Sequence, residues 1–188
     1  LKYSIIIFIS IIFLLLLRII YKPLDVSFLN NNFINFKKYL VNFEGISTEK
    51  IVIDFDLFID DKFVYRQKAD GLIISSPSGS TAYSLSGGGP IVLPNVPVMT
   101  LLPMFPHSLL NTSPLIVDDE SKVKIEMIGK KSRAVLSMDS HNSIKLKQGD
   151  IVNISAGKSN LTLIHPPGHD FFEACRNKLG WSADLTKN

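Results

Sequence analysis

Five prolines, Pro90, Pro94, Pro97, Pro103 and Pro106, punctuate the apolar middle of this 188-residue chain. Proline has no backbone N–H and its ring clashes with the preceding turn, so no long helix can form across this region. An apolar stretch that cannot be helix is buried as strand, and residues 98–102 are the natural candidate. The last third of the chain keeps the same character. Residues 115–117, 123–127, 134–138, 144–146, 151–154 and 161–164 are short apolar runs separated by Gly, Asp, Asn and Ser. Runs spaced roughly ten residues apart with turn residues between them predict an antiparallel sandwich or barrel.

The region before the prolines is also strand-like. Ile51, Ile53, Phe55 and Leu57 alternate with Val52, Asp54, Asp56 and Phe58. That period of two predicts a half-buried strand with its carboxylates outward. Asp60, Asp61 and Lys62 make a turn and residues 63–67 return, giving a hairpin. Asp54, Asp56, Asp60 and Asp61 read as groups that solvate the outer face and the turn, with a cation site as the alternative.

Residues 70–90 then run from a short apolar strand, Leu72-Ile73-Ile74, into Ser-Ser-Pro-Ser-Gly-Ser-Thr and on to Gly87-Gly88-Gly89-Pro90. Small residues let a backbone approach something closely and leave N–H and hydroxyl groups free to donate. A strand, a Ser/Gly/Thr turn and a short helix over residues 81–85 can hold a phosphate or a ribose. An ordinary surface loop has the same composition, and no P-loop, dinucleotide fingerprint or nucleophile elbow is present to decide between them.

Composition narrows the classes. The chain is 46% hydrophobic and 20% charged, as a folded domain with a core should be. A net charge of +3 without a long basic run does not indicate nucleic acid. The lone Cys175 forbids an internal disulfide and fits a reducing compartment. Residues 1–45 form an atypical head. From residue 5 to residue 17 the only polar side chain is Ser10. Residues 4–20 thus reach roughly the lower limit of a membrane-spanning helix. The alternatives are a buried segment or one that is not native coding sequence, since 33 of the first 40 residues are Leu, Ile, Phe, Lys, Asn or Tyr.

Four further features are legible. His107, in an apolar segment, reads as a hydrogen-bonded core residue. His165 and His169 are separated by Pro166-Pro167-Gly168, which prevents a shared helical face and argues against a metal pair. Asp170 and Glu173 predict a capping box for a terminal helix to about Lys178, ended by Gly180. Trp181 is expected to pack the tail onto the body.

From about Ile53 onward the chain resembles the C-terminal domain of bacterial NAD kinases. The resemblance rests on Asp70-Gly71-Leu72-Ile73-Ile74-Ser75, on Pro77-x-Gly79-Ser80-Thr81-Ala82-Tyr83-Ser84-Leu85-Ser86, and on Gly88-Gly89-Pro90. Pro106-His107-Ser108-Leu109, Leu163-Ile164-His165-Pro166 and Lys178-Leu179-Gly180-Trp181 extend it. It implies a mostly β fold: an antiparallel β-sandwich with a short helix after the Gly-Ser-Thr turn and a C-terminal helix. Residues 46–188 would be the NAD-binding domain.

The implied activity is phosphorylation of the 2′-hydroxyl of the adenosine ribose of NAD by ATP, with Mg²⁺, to give NADP. The implied setting is the cytoplasm, in a homodimer or homotetramer. Carried over by position, Lys68, Asp70, Thr81, Ala82, Tyr83, Ser84, Leu85, Ser86 and His141 would contact NAD. The family's Gly-Gly-Asp-Gly motif, which bears the presumed general base, does not occur in this sequence, so no catalytic residue is assigned. The Asn-Glu pair expected before the first hairpin is absent too, and Ser113-Pro114 stands where the family has Arg-Pro. The alternative reading is therefore a truncated, inactive NAD-binding and oligomerisation domain.

Overall fold

The computed structural model describes residues 18–21, 24–30, 32–38, 40–45, 52–107, 113–129, 134–139, 142–158 and 161–181. His141 and most of the apolar segment 4–20 lie outside them. The chain divides into two compact units, Ile20–Leu161 and, separately, Leu1–Ile19 with Thr162–Asn188.

The larger unit is built on one antiparallel sheet. Its described strands are β2 (Leu24–Asn30), β3 (Asn32–Lys38), β4 (Leu40–Gly45), β5 (Ile53–Ile59), β6 (Lys62–Ser75), β7 (Val98–Pro106), β8 (Leu115–Asp118), β9 (Val123–Met127), β10 (Ala134–Met138), β11 (Asn142–Leu146) and β12 (Ile151–Ala156). They run in the order β11-β10-β4-β6-β5-β9-β12-β2-β3, with β7 on β6 and β8 on β7. The expected strands are present. The head contributes as well: β4 pairs with β6 and β10, and β2 with β12.

The alternation read from the sequence sets the core. Ile53, Phe55 and Leu57 of β5 are fully buried, as are Val123 and Ile125 of β9 and Leu136 and Met138 of β10. These join Leu72, Ile74, Met99, Leu101, Val152 and Ile154 in one cluster, the core that this antiparallel sheet encloses. Each such side chain contributes about 1.5–3 kcal/mol on leaving water. Tyr65 packs edge-on against Phe55, and burial pushes its phenol up to about 12.

Strand β6 organises the unit. The hairpin return and the apolar run Leu72-Ile73-Ile74 prove to be one 14-residue strand. Asp60 and Asp61 turn the hairpin at φ 50° and 61°, the left-handed pair that a two-residue turn requires. The first half of β6 pairs with β5, and the second half with β4 on one side and β7 on the other. Gln67 and Ala69 face inward beside Tyr65, so Arg66, Lys68 and Asp70 face out. Past Gly71 the core-facing set becomes Leu72 and Ile74. The strand exchanges faces at Asp70-Gly71, and residues 71–75 are buried on both sides, Leu72 and Ile74 in the main core and Ile73 in a second cluster with Leu102.

Two prolines sit inside β7, opposite Leu72 and Ala69. Pairing with β8 covers only Val98 to Leu101, so neither proline lies in the β7–β8 ladder.

β13 (Leu161–Ile164) pairs with β1 (Arg18–Tyr21) in a separate sheet of two strands. The described helix of the smaller unit is Phe171–Leu179. Asp170 caps it by accepting the Phe172 N–H at 2.9 Å, and Gly180 ends it at φ 70°. Trp181 does not bury as expected: it follows the helix 56% exposed. Among the described residues no helix is long and apolar enough to cross a membrane.

Candidate functional site

The site begins where β6 ends. Ser76 and Pro77 carry the chain into a single 3-10 turn at Ser78–Thr81, and helix α1 follows at Tyr83–Ser86. The turn is closed from within. Ser80 Oγ donates to the Pro77 carbonyl at 2.6 Å and accepts the Val92 N–H at 3.0 Å, and Ser76 Oγ accepts the Gly79 N–H at 3.3 Å. Ala82 N–H donates to the Gly79 carbonyl at 3.0 Å. The serines and glycine here thus fold the turn before they offer anything to a ligand.

Helix α1 and the glycines after it lie on the outer face of β6 and β7. Ile73 and Leu102 form a small second core there with Met104 against it. A side chain at Gly87 would come within 3.0 Å of Leu102 and 3.5 Å of Ile73. One at Gly89 would come within 2.5 Å of Ser84 Oγ, while the Gly89 N–H donates to the Ser84 carbonyl at 2.9 Å. The three glycines let the chain lie flat over an apolar strip.

This placement sorts the expected NAD residues. Thr81, Ala82, Tyr83 and Ser86 are exposed, and Leu85 is half-buried. Ser84 is fully buried, its hydroxyl packed towards Gly89 without a hydrogen-bond partner among the described residues. Lys68 and Asp70 share the outer face of β6. The Lys68 ammonium lies 3.7 Å from the Asp54 carboxylate. His141 lies outside the described residues. Beside Lys68, Arg66 holds Asp56 through two 2.7 Å bonds, and these keep the Asp56 carboxyl below the usual carboxylate range. Asp60 Oδ1 accepts the Lys122 N–H. Of the carboxylates read as outer-face and turn groups, Asp54 and Asp56 thus face cations and Asp60 a backbone N–H. Among the described residues no three His, Cys, Asp or Glu side chains gather into a metal site.

Sequence reasoning missed one partner. His107 is not a core residue: it is 41% exposed, with Nε2 2.8 Å from Asp70 Oδ1. Its N–H donates to the Lys68 carbonyl at 2.8 Å. The register pair Ala69–Pro106 brings it there. In the smaller unit, the turn through Pro166, Pro167 and Gly168 stacks the rings of His165 and His169 at 4.0 Å. Burial, and secondarily the neighbouring ring, push the His165 imidazole below its ordinary value.

The frame of the site is an antiparallel β-domain whose long central strand β6, polar on its outer face as far as Asp70, leads into a small-residue turn. The chain belongs to the ATP-NAD kinase C-terminal domain family, which matches residues 45–166. It is 51% identical over 132 residues to the NAD kinase of Alcanivorax borkumensis, covering 70% of this chain and 44% of that protein. It is 52% identical over 136 residues to that of Chromohalobacter salexigens, covering 71% of this chain and 46% of that one. The chain therefore spans less than half the length of these relatives. Among solved structures it superimposes on yeast NADH kinase complexed with NADH at a TM-score of 0.82 and 26% identity, over 91% of this chain and 51% of that one. It shares its fold with an NAD kinase from Archaeoglobus fulgidus in complex with ATP, at a TM-score of 0.66 and 22% identity over 86% of this chain and 59% of that one.

Proposed function

We propose that this chain is the NAD-binding half of an NAD kinase, which transfers a phosphoryl group from ATP to the 2′-hydroxyl of the adenosine ribose of NAD. The observation that carries the reading is the segment 70–90. Asp70 faces out at the end of the polar strip of β6, and the exposed Thr81, Ala82, Tyr83 and Ser86 stand over the following stretch of the same sheet. Asp70 can accept from an amide or a ribose hydroxyl, Lys68 can face a phosphate, and Tyr83 offers a ring and a hydroxyl. The small residues leave room for a flat dinucleotide. We take residues 46–188 as this domain, with strands from the head 1–45 completing its sheet.

Phosphoryl transfer needs a positioned base and neutralised phosphates. Neither the Gly-Gly-Asp-Gly run nor a three-ligand cation cluster lies among the described residues. Mg²⁺ would be supplied with ATP, as the family resemblance implies, and the base would have to come from residues other than the described ones. This favours a second reading in which the chain binds NAD and assembles as a homodimer or homotetramer without turnover. A single cysteine supports a cytoplasmic setting.

One experiment separates the readings. The purified chain is given NAD, ATP and Mg²⁺, and NADP is measured beside NAD binding by calorimetry. NADP formation supports the kinase reading. Binding without NADP leaves the binding domain, and loss of both removes the proposal.

A further inference from the structure

We infer that His107 is a positioning residue for the Asp70 carboxylate, an inference that rests on the NAD-binding reading of Asp70. A carboxylate only accepts hydrogen bonds, so the 2.8 Å contact requires the proton on His107 Nε2. Asp70 Oδ1 is then occupied, while Oδ2 makes no hydrogen bond among the described residues and is left for a ligand donor. With both side chains 41% exposed, water screens the pair and it contributes little to folding. Yet its geometry is constrained on three sides.

The His107 N–H is tied to the Lys68 carbonyl at 2.8 Å, on the residue that shares a strand face with Asp70. Pro106, paired with Ala69, fixes the backbone immediately before it. Phe105 takes φ 44°, a sparsely populated region for a bulky residue, and stands 74% exposed. A strained, exposed phenylalanine gains nothing for the core, so the bend serves what comes after it: it swings His107 back across the edge of β6. The imidazole fixes which carboxylate oxygen faces outward and holds its plane, removing rotamer freedom that NAD binding would otherwise have to freeze.

The test uses the full chain, with NAD as the probe, in calorimetry. Asp70→Ala and His107→Ala should each weaken binding about tenfold, the loss of one charge-assisted hydrogen bond. The double variant should bind no worse than Asp70→Ala alone, because His107 acts only through Asp70. His107→Gln places an amide N–H near the position of Nε2 and should restore most of the affinity. The melting temperature should stay put in all variants. In ¹⁵N spectra the wild-type imidazole should be protonated at Nε2, and Asp70→Ala should release that preference.

Wild-type binding by His107→Ala, additive losses, or failure of His107→Gln to restore binding would each overturn the inference while leaving NAD binding intact. If the wild-type chain binds no NAD at all, the underlying reading falls first and the inference with it.

Discussion

The hydroxyl of Ser80 closes the small-residue turn on Val92, twelve positions further on, by accepting its N–H at 3.0 Å while donating to the Pro77 carbonyl at 2.6 Å. Ser80 is fully buried and Val92 nearly so. Ser80→Ala strands a buried N–H and should cost about 1–3 kcal/mol. Urea unfolding measures this. A cost indistinguishable from zero would mean the turn is held by other means.

Gly89 and Gly88 should fail for different reasons. A Cβ at Gly89 meets Ser84 Oγ at 2.5 Å and the Ser84 carbonyl at 2.8 Å. Gly89→Ala should therefore destabilise by about 1–3 kcal/mol. Adding Ser84→Ala should recover only part, because the carbonyl contact remains. Gly88 has open space around it but a φ of +87°. Gly88→Ala should cost about 1–2 kcal/mol from backbone strain alone, and Ser84→Ala should not relieve it. Denaturant midpoints of the four variants separate clash from strain.

Asp56 gives the larger unit a pH dependence. Its folded carboxyl is held below the ordinary range, first by the Arg66 hydrogen bonds. Stability from such a group is present above the unfolded value of about 3.9 and is lost as pH falls through the folded value. At neutral pH the wild type should melt slightly above Asp56→Asn, by a small margin because Arg66 reaches into solvent. The two melting temperatures should converge in acid. A gap that stays constant with pH would assign the difference to packing instead.

His165 should titrate below an ordinary histidine in an NMR pH series. His169→Ala should move it only part of the way back, since burial is the larger cause and the neighbouring ring the smaller. A depressed imidazole contributes stability above its unfolded value of about 6.5, and the contribution fades as pH drops through the folded value.

Tyr83→Ala should lower NAD affinity about tenfold with little change in melting temperature. Its side chain is 43% exposed, so the core loses little, whereas a bound dinucleotide would lose a stacking face. Surface plasmon resonance against immobilised NAD, alongside a thermal scan, checks both halves.

The sequence alone was enough for the elements and the segment. Prolines excluded helix from the middle of the chain, and the period of two placed Ile53, Phe55 and Leu57 inward on β5. Asp170 and Gly180 marked the ends of the last helix, because caps act over one turn. The small residues of 70–90 announced a close approach of backbone. All of these are short-range effects that neighbours in the chain impose on each other.

The tertiary structure decided what depends on partners far along the chain. The head reads as biased composition, yet residues 24–45 supply three strands, because pairing with β12, β10 and β6 overrides a weak local pattern. Two apolar stretches became one strand, β6, whose core face switches at Asp70-Gly71 as it passes from β5 to β4 and β7. The burial of Ser84 depends on Gly89, five positions on, packing over it. His107 looked like a core residue until the antiparallel register of β6 and β7 set it beside Asp70, 37 positions away. Register is fixed by the summed fit of the whole sheet, and no local run of residues carries that sum.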